Sequence, residues 1–89
     1  MQPVVIPIDG ILDLHTFAAR DVKALVSDYI DACMDAGILD LRLVHGKGSG
    51  TLRRIVRALL GRDPRVAGFG DAPPDAGGWG ATVVRLRER

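Results

Sequence analysis

The sequence predicts a small α/β sandwich whose elements follow in the order strand, helix, strand, helix, strand, strand. Three observations support this fold class. Apolar and polar residues alternate in two separate runs, which indicates strands with one buried and one solvated face. Two other runs repeat apolar residues at the spacing of amphipathic helices. Right-handed crossovers between successive parallel strands would place both helices on the same face of the sheet.

The first half of the chain supplies a strand, a helix and a second strand. Leucines alternate with polar residues around Ile8–His15 and again over Leu39–His45, so both runs are predicted to be strands. Between them, apolar residues recur at helical spacing over about Ala18–Ala36. Thr16 is placed to cap this helix, and Gly37 is placed to end it.

The second half supplies a helix and two strands. An amphipathic run predicts a helix over about Gly50–Leu60, which Gly61 and a later proline end. A third strand is predicted at Val66–Asp71. The proline- and glycine-rich stretch 73–78 is predicted to be a loop, and Trp79–Arg87 to be the last strand.

Length and composition indicate one globular domain. The 89 residues, 47% hydrophobic and 26% charged, predict a single domain over 1–89 with its core at about 8–88. No apolar run approaches the roughly 18–20 residues of a transmembrane helix, so we expect a cytoplasmic protein without a membrane partner. Cys33 is the single cysteine, which excludes an internal disulfide and favours core packing. We expect the protein to be a monomer.

Charge is distributed unevenly along the chain. Residues 42–65 carry seven basic residues and one acidic residue, whereas residues 1–41 carry seven acidic and two basic ones. Such a basic block is typical of a protein that binds a polyanion. The alternative is an ordinary solvated helix face. Three arginines of the second predicted helix lie opposite its apolar stripe, where they are free to meet a ligand: Arg53, Arg54 and Arg57.

A glycine-rich turn, 45–50, joins the second strand to the second helix. Glycine lets backbone amides approach an anion, and the first turn of a helix adds unpaired N–H groups. Lys47 adds a positive charge, and His45 adds a group that titrates near neutral pH. The turn therefore suits a phosphate, although a tight connection is the alternative reading. Ser49 fits either a helix N-cap or a phosphate ligand.

Asp13 and His15 end the first predicted strand, as His45 ends the second. In an open parallel sheet, ligand sites form beyond the carboxyl ends of the strands. We therefore expect Asp13 and His15 to meet the glycine-rich turn in space, although they are far from it in sequence.

Three stretches together resemble the motifs of one family. They are Leu12-Asp13-Leu14-His15, His45-Gly46-Lys47-Gly48-Ser49-Gly50, and the run that begins Gly77-Gly78-Trp79-Gly80-Ala81-Thr82. They resemble the LDLH-type motif, the HGKGxG-type turn and the GGxGAT-type final strand of the Smr (small MutS-related) domain family. The resemblance covers about residues 11–86 in the expected order. Thr16 departs from it, since many members have glycine after the LDLH histidine, and the approach to His15 is expected to differ accordingly.

The resemblance implies a fold and a function. The fold would be similar to the C-terminal domain of translation initiation factor three, with a mixed four-stranded sheet in order 1-2-4-3, strand 4 antiparallel, and both helices on one face. The function would be binding of DNA or RNA with nicking or endonucleolytic cleavage, alone or with a ribosome or repair-protein partner. Asp13 and His15 match the positions implicated in cleavage. The turn residues implied to bind nucleic acid are His45, Gly46, Lys47, Gly48 and Gly50.

Several routes to phosphodiester cleavage stay open. His15 or His45 can act as base or acid, and a carboxylate can orient a histidine. Alternatively, Asp13 can hold a Mg²⁺ or Mn²⁺ ion that activates water. On RNA the 2′-hydroxyl can be the nucleophile without a metal. The same residues would also suit a non-catalytic nucleic-acid or ribosome-binding module. Trp79 can stack on a base or lie half-buried at the sheet edge.

Overall fold

The computed structural model describes residues 6–88, and its four-stranded mixed sheet confirms the predicted fold class. Residues 1–5 and 89 of the predicted domain lie outside this range. The sheet has the order β1-β2-β4-β3. β1 pairs parallel with β2, whereas β4 runs antiparallel to both of its neighbours. The strands are β1 (Ile11–Asp13), β2 (Asp40–Val44), β3 (Val66–Asp71) and β4 (Ala81–Leu86).

Two helices, α1 (Ala19–Asp35) and α2 (Thr51–Arg62), cover one face of the sheet. Their apolar stripes and the inward residues of the strands form one core, as binary patterning predicts. Cys33 lies in this core, fully buried, as predicted. Neither helix, within residues 6–88, is long and apolar enough to cross a bilayer. The core is built chiefly from Leu12, Leu14, Val22, Val26, Tyr29, Ile30, Leu41, Leu43, Val56, Leu60, Val84 and Leu86.

The first strand is shorter than predicted. It ends at Asp13 because the chain then turns, and the backbone amide of Phe17 donates to the carbonyl of Leu14 at 3.0 Å. The predicted cap by Thr16 is wrong. The N-cap of α1 is Ala18, which offers no side-chain acceptor, and the helix begins one residue later.

The last strand also begins later than predicted. Trp79 lies in a 3₁₀ turn, Gly78–Gly80, that follows another at Pro74–Ala76, and β4 starts only at Ala81. The cause is local, since the backbone amide of Gly80 donates to the Gly77 carbonyl at 3.1 Å and that of Gly78 to the Pro73 carbonyl at 3.0 Å. The Gly80 carbonyl in turn accepts from the backbone amides of His45 and Gly46 at 3.1 and 2.8 Å. These bonds fix the Gly78–Gly80 turn against the glycine-rich turn.

Candidate functional site

At one edge of the sheet, the carboxyl ends of β1, β2 and β3 lie beside the amino end of β4. Asp13 lies opposite Val44 at the end of β2, and Val44 lies opposite Ala81 at the start of β4. Asp71 ends β3 opposite Thr82. The expected convergence of the first two motifs is therefore present, and the third motif joins them. We call this edge the rim, which comprises residues 13–16, 45–53, 71 and 77–80.

The side chains of Asp13 and His15 contact each other directly. Asp13 Oδ1 accepts a hydrogen bond from His15 Nδ1 and another, of 3.0 Å, from the His15 backbone amide. The side chains stay 53% and 61% exposed, respectively. No residue other than glycine has a positive φ within residues 6–88, so Thr16 fits the turn after His15 without backbone strain. The departure at position 16 leaves this pair intact.

The hydrogen bond from His15 Nδ1 to Asp13 leaves Nε2 as the ring nitrogen that can act as a base. A carboxylate only accepts, so Nδ1 of the neutral ring carries the proton and Nε2 keeps a free lone pair. The side-chain hydrogen bond from His15, followed by the backbone one, holds the pKa of Asp13 below its ordinary value. This geometry favours an Asp13 that orients His15, one of the two roles expected for it.

The lowered pKa of Asp13 gives a pH prediction. The interaction with His15 is fully present above the ordinary value of 3.8 and is lost as the pH falls through the lowered pKa. In a ¹³C NMR titration, the Asp13 carboxyl carbon should therefore change shift below pH 3.8. In His15→Gln the midpoint should move upward, because the imidazole donor is gone. An identical midpoint in both proteins would contradict the contact.

His45 is buried at the base of the glycine-rich turn. It is 6% exposed, and its Nε2 lies 2.9 Å from Oγ1 of the fully buried Thr82. Its Nδ1 lies 3.1 Å from the carbonyl oxygen of Gly46. The carbonyl can only accept, so in the neutral ring Nδ1 donates and Nε2 accepts from the threonine hydroxyl. Both nitrogens are occupied, which favours a turn-closing role for His45 over acid–base chemistry.

The glycine-rich turn offers unpaired backbone donors. Gly46 has φ +81°, a conformation that favours glycine, and its amide is bound to Gly80. No acceptor among residues 6–88 bonds the amides of residues 47–50. Residues 45, 46 and 48–50 of the turn and the first turn of α2 line a hollow of about 210 Å³. An anion would meet several N–H groups here.

Ser49 is not the N-cap of α2. The cap position is Gly50, in the left-handed conformation, and no side chain bonds it. The hydroxyl of Ser49 lies 2.9 Å from that of Thr51 and 3.4 Å from the Thr51 amide. The prediction of Ser49 as a helix N-cap is therefore wrong, while its role as a phosphate ligand stays a prediction.

The three arginines of α2 that were predicted to bind a ligand divide into two groups. Arg53 and Arg57 donate to Asp71 Oδ1 at 2.8 and 3.2 Å, so the expectation that they are free to meet a ligand is wrong. Arg54 is exposed and makes no ion pair within the described part of the chain. The Arg53 contact is the main cause that lowers the pKa of Asp71. Sequence reasoning missed Asp71, although its place at the end of β3 next to the basic helix was a usable signal.

Removing the Asp71 charge should strengthen polyanion binding. In Asp71→Asn, both arginines lose their internal counter-ion and become available to phosphates. We expect affinity for a short oligonucleotide to rise about 3- to 10-fold, with a steeper salt dependence. Fluorescence anisotropy measures both quantities.

A matched control removes the same charge elsewhere. Asp40 pairs with Arg85 at 2.7 Å, at the opposite end of β2 from the rim. Asp40→Asn should raise affinity much less than Asp71→Asn does. Equal gains in the two variants would show that only net charge matters.

A divalent cation would use Asp13 at the rim, because the other rim carboxylate, Asp71, is paired with Arg53 and Arg57. Within residues 6–88 there is no cluster of three or more His, Cys, Asp or Glu groups that could hold a metal ion. Asp13 Oδ2, however, accepts no hydrogen bond in the described chain. Mg²⁺ commonly uses one or two carboxylates and takes its other ligands from water and substrate phosphates. Asp13 therefore fits as a shared ligand, and bound metal would supply water activation there.

The family described as Smr domain matches residues 12–87. Endonuclease MutS2 of Thermus thermophilus is 43% identical over 76 residues, which are 85% of this chain and 10% of the relative. Endonuclease MutS2 of Levilactobacillus brevis is 41% identical over 76 residues, which are again 85% of this chain and 10% of the relative. The chain thus spans about a tenth of the length of these curated relatives.

Two solved structures are also similar. The crystal structure of the Smr domain of Thermus thermophilus MutS2 superposes with a TM-score of 0.83 at 43% identity, covering 86% of this chain and 96% of that one. YdaL, a stand-alone small MutS-related protein from Escherichia coli, superposes with a TM-score of 0.84 at 26% identity, covering 92% of this chain and 67% of that one. Both superpositions include most of the four-stranded sheet and two helices of this chain.

Proposed function

The chain belongs to the Smr domain family, and from that premise we propose that it is a nucleic-acid-binding endonuclease that cleaves phosphodiester bonds at the rim. One observation carries the proposal. Asp13 holds His15 with Nε2 facing solvent, and the unpaired amides of the glycine-rich turn follow the neighbouring strand. An acid–base group and an anion-binding turn supply two of the functions that phosphodiester cleavage uses, proton transfer and stabilisation of charge in the transition state. The naming of full-length relatives as endonucleases agrees with this proposal.

In this mechanism the scissile phosphate binds between His15 and the turn. Amides of residues 47–50 and the ammonium of Lys47 neutralise charge on the phosphorane-like transition state. His15 Nε2 takes the proton of the attacking hydroxyl, and Asp13 stabilises the imidazolium that forms. On RNA the attacking group is the 2′-hydroxyl. Its oxygen bonds phosphorus, the bond from phosphorus to the 5′-oxygen breaks, and the leaving 5′-oxygen takes a proton from solvent, which gives a 2′,3′-cyclic phosphate. On DNA the attacking group is water, and a divalent cation at Asp13 would assist it.

His45 has a supporting role in this proposal. Its ring nitrogens bind Gly46 and Thr82, so we assign it the task of holding the turn in shape. Arg54 and, after release from Asp71, Arg53 and Arg57 bind neighbouring phosphates. The basic surface then positions the strand, and the Asp13–His15 pair cuts it.

The second candidate is a binding module without catalysis. The exposed Lys47 and Arg54 and the turn amides suit phosphate binding whether or not a bond is broken. Salt-dependent binding without cleavage, under any metal condition, would favour this candidate. Ribosome or repair-protein partners stay predictions of the family resemblance, and a cytoplasmic location stays a prediction from the hydropathy of the sequence.

The test is a cleavage assay of the whole chain. Supercoiled plasmid and end-labelled RNA are incubated with the protein, with Mg²⁺, with Mn²⁺ and with chelator. We expect cleavage of at least one substrate, and the chemistry of the new ends reports the nucleophile. Cyclic phosphate ends that persist in chelator would indicate attack by the 2′-hydroxyl. Intact substrates under all conditions would overturn the endonuclease proposal.

A further inference from the structure

We propose that Trp79 and Lys47 form a stacking platform for an unpaired base, so that the site selects single-stranded or unstacked nucleic acid over continuous duplex. The inference rests on the proposed function and names the substrate class of the same site. It is carried by contacts at the Gly78–Gly80 turn.

Trp79 is exposed on a rigidly held turn. Its side chain is 46% exposed, although large aromatic residues usually bury most of their surface. The turn is fixed on both sides. The Gly80 carbonyl accepts from two amides of the glycine-rich turn, and the Ala81 carbonyl accepts from the Ala72 amide at 3.1 Å. An aromatic ring on a fixed backbone loses little conformational entropy when a ligand binds it.

Lys47 lies across the same turn. Its Nζ is 5.9 Å from the centroid of the Trp79 ring, a cation–π distance. Glycine makes this approach possible, since a Cβ at Gly80 would lie 2.9 Å from Lys47 Cγ. A Cβ at Gly78 would lie 4.0 Å from Lys47 Nζ. The sequence thus holds a cation and an exposed indole side by side.

This pairing fits one nucleotide with a free base. The ammonium suits the phosphate, and the indole suits the flat face of the adjoining base. In a continuous duplex, both faces of every base are covered by its neighbours, so the indole has no partner unless a base unstacks. Phosphate contacts alone would not distinguish the two forms, because both carry phosphates. The platform therefore adds affinity for unpaired nucleotides alone.

The platform can be tested directly because Trp79 is the single tryptophan of the chain. Its emission is titrated with a short single-stranded DNA, with the duplex of the same sequence, and with a strand of abasic sites that keeps the phosphates. Gel analysis after each titration confirms that the oligonucleotide is intact. We expect saturable quenching by the single strand and an affinity about 5- to 100-fold above that of the duplex or the abasic strand.

Variants separate stacking from general binding by anisotropy. Trp79→Ala should bind the single strand as weakly as the duplex, with duplex affinity unchanged, whereas Trp79→Phe should keep most of the preference. Ile11→Ala, which removes a 45% exposed apolar side chain at β1, should change neither affinity. The platform would be overturned if the wild-type protein bound single-stranded and duplex DNA with equal affinity. It would also be overturned if Trp79→Ala lost affinity for both to the same extent. Because no turnover is measured, a strand preference without cleavage would leave the platform standing and remove only the endonuclease proposal.

Discussion

Asp13→Asn is expected to lower the rate of nucleic-acid cleavage by about 10²- to 10⁴-fold, the usual contribution of general acid–base catalysis. The amide can present its NH₂ group to His15 and so reverse the hydrogen bond that sets the tautomer. His15 Nε2 would then no longer be reliably available as a base. Oligonucleotide affinity should change less than about 3-fold, since the phosphate contacts lie on the turn and on α2. Initial rates of RNA cleavage or plasmid nicking measure the effect.

Three further variants make this result specific. His15→Gln should lose a similar factor, and the double variant should be hardly worse, because residues that act as a unit are not additive. Asp9→Asn is the matched control. Asp9 also accepts from a backbone amide two residues later, Ile11 at 2.9 Å, but it precedes β1, whereas Asp13 ends it. Full activity in Asp13→Asn, or equal losses in Asp9→Asn, would contradict the proposed pair.

His45→Ala is expected to lower the free energy of unfolding by about 2–4 kcal/mol, which combines a buried cavity with an unsatisfied hydroxyl. Thr82 is fully buried and would lose its imidazole partner. The glycine-rich turn would lose its anchor at Gly46. Urea denaturation followed by circular dichroism measures the loss.

His45→Gln separates positioning from catalysis. A glutamine amide can still bond Thr82, but it cannot exchange a proton near neutral pH. If His45 holds the turn, this variant should regain much of the stability and keep substantial cleavage. Thr82→Val should lower stability while leaving the imidazole in place. Loss of all cleavage in a stably folded His45→Gln protein would instead assign acid–base chemistry to His45.

Strand and helix order were predictable because their signals are local. Alternating leucines and amphipathic spacing depend only on neighbours along the chain. Element ends depended on tight turns that neither periodicity shows. Trp79 was assigned to the last strand, yet the Gly80 amide bonds the Gly77 carbonyl, and this 3₁₀ turn delays the strand to Ala81. Thr16 suits a helix cap, but the turn that follows Leu14 moves the helix start to Ala19.

The sequence predicted which residues meet at the candidate site better than it predicted their burial and pairing. The convergence of Asp13 and His15 with the glycine-rich turn followed from parallel strand order. That His45 is buried, whereas His15 is exposed, depends on how the strand ends pack, which no local pattern shows. The pairing of the α2 arginines with Asp71 likewise joins residues from two distant elements.

The most direct test of a shared phosphate site is an NMR titration of the whole protein with a dinucleotide that carries a non-cleavable linkage. We expect the His15 ring resonances and the backbone amides of residues 47–50 to shift together along one binding curve, with a single Kd. His15 signals that stay unmoved while the turn amides saturate would contradict a common site, as would two curves with different midpoints.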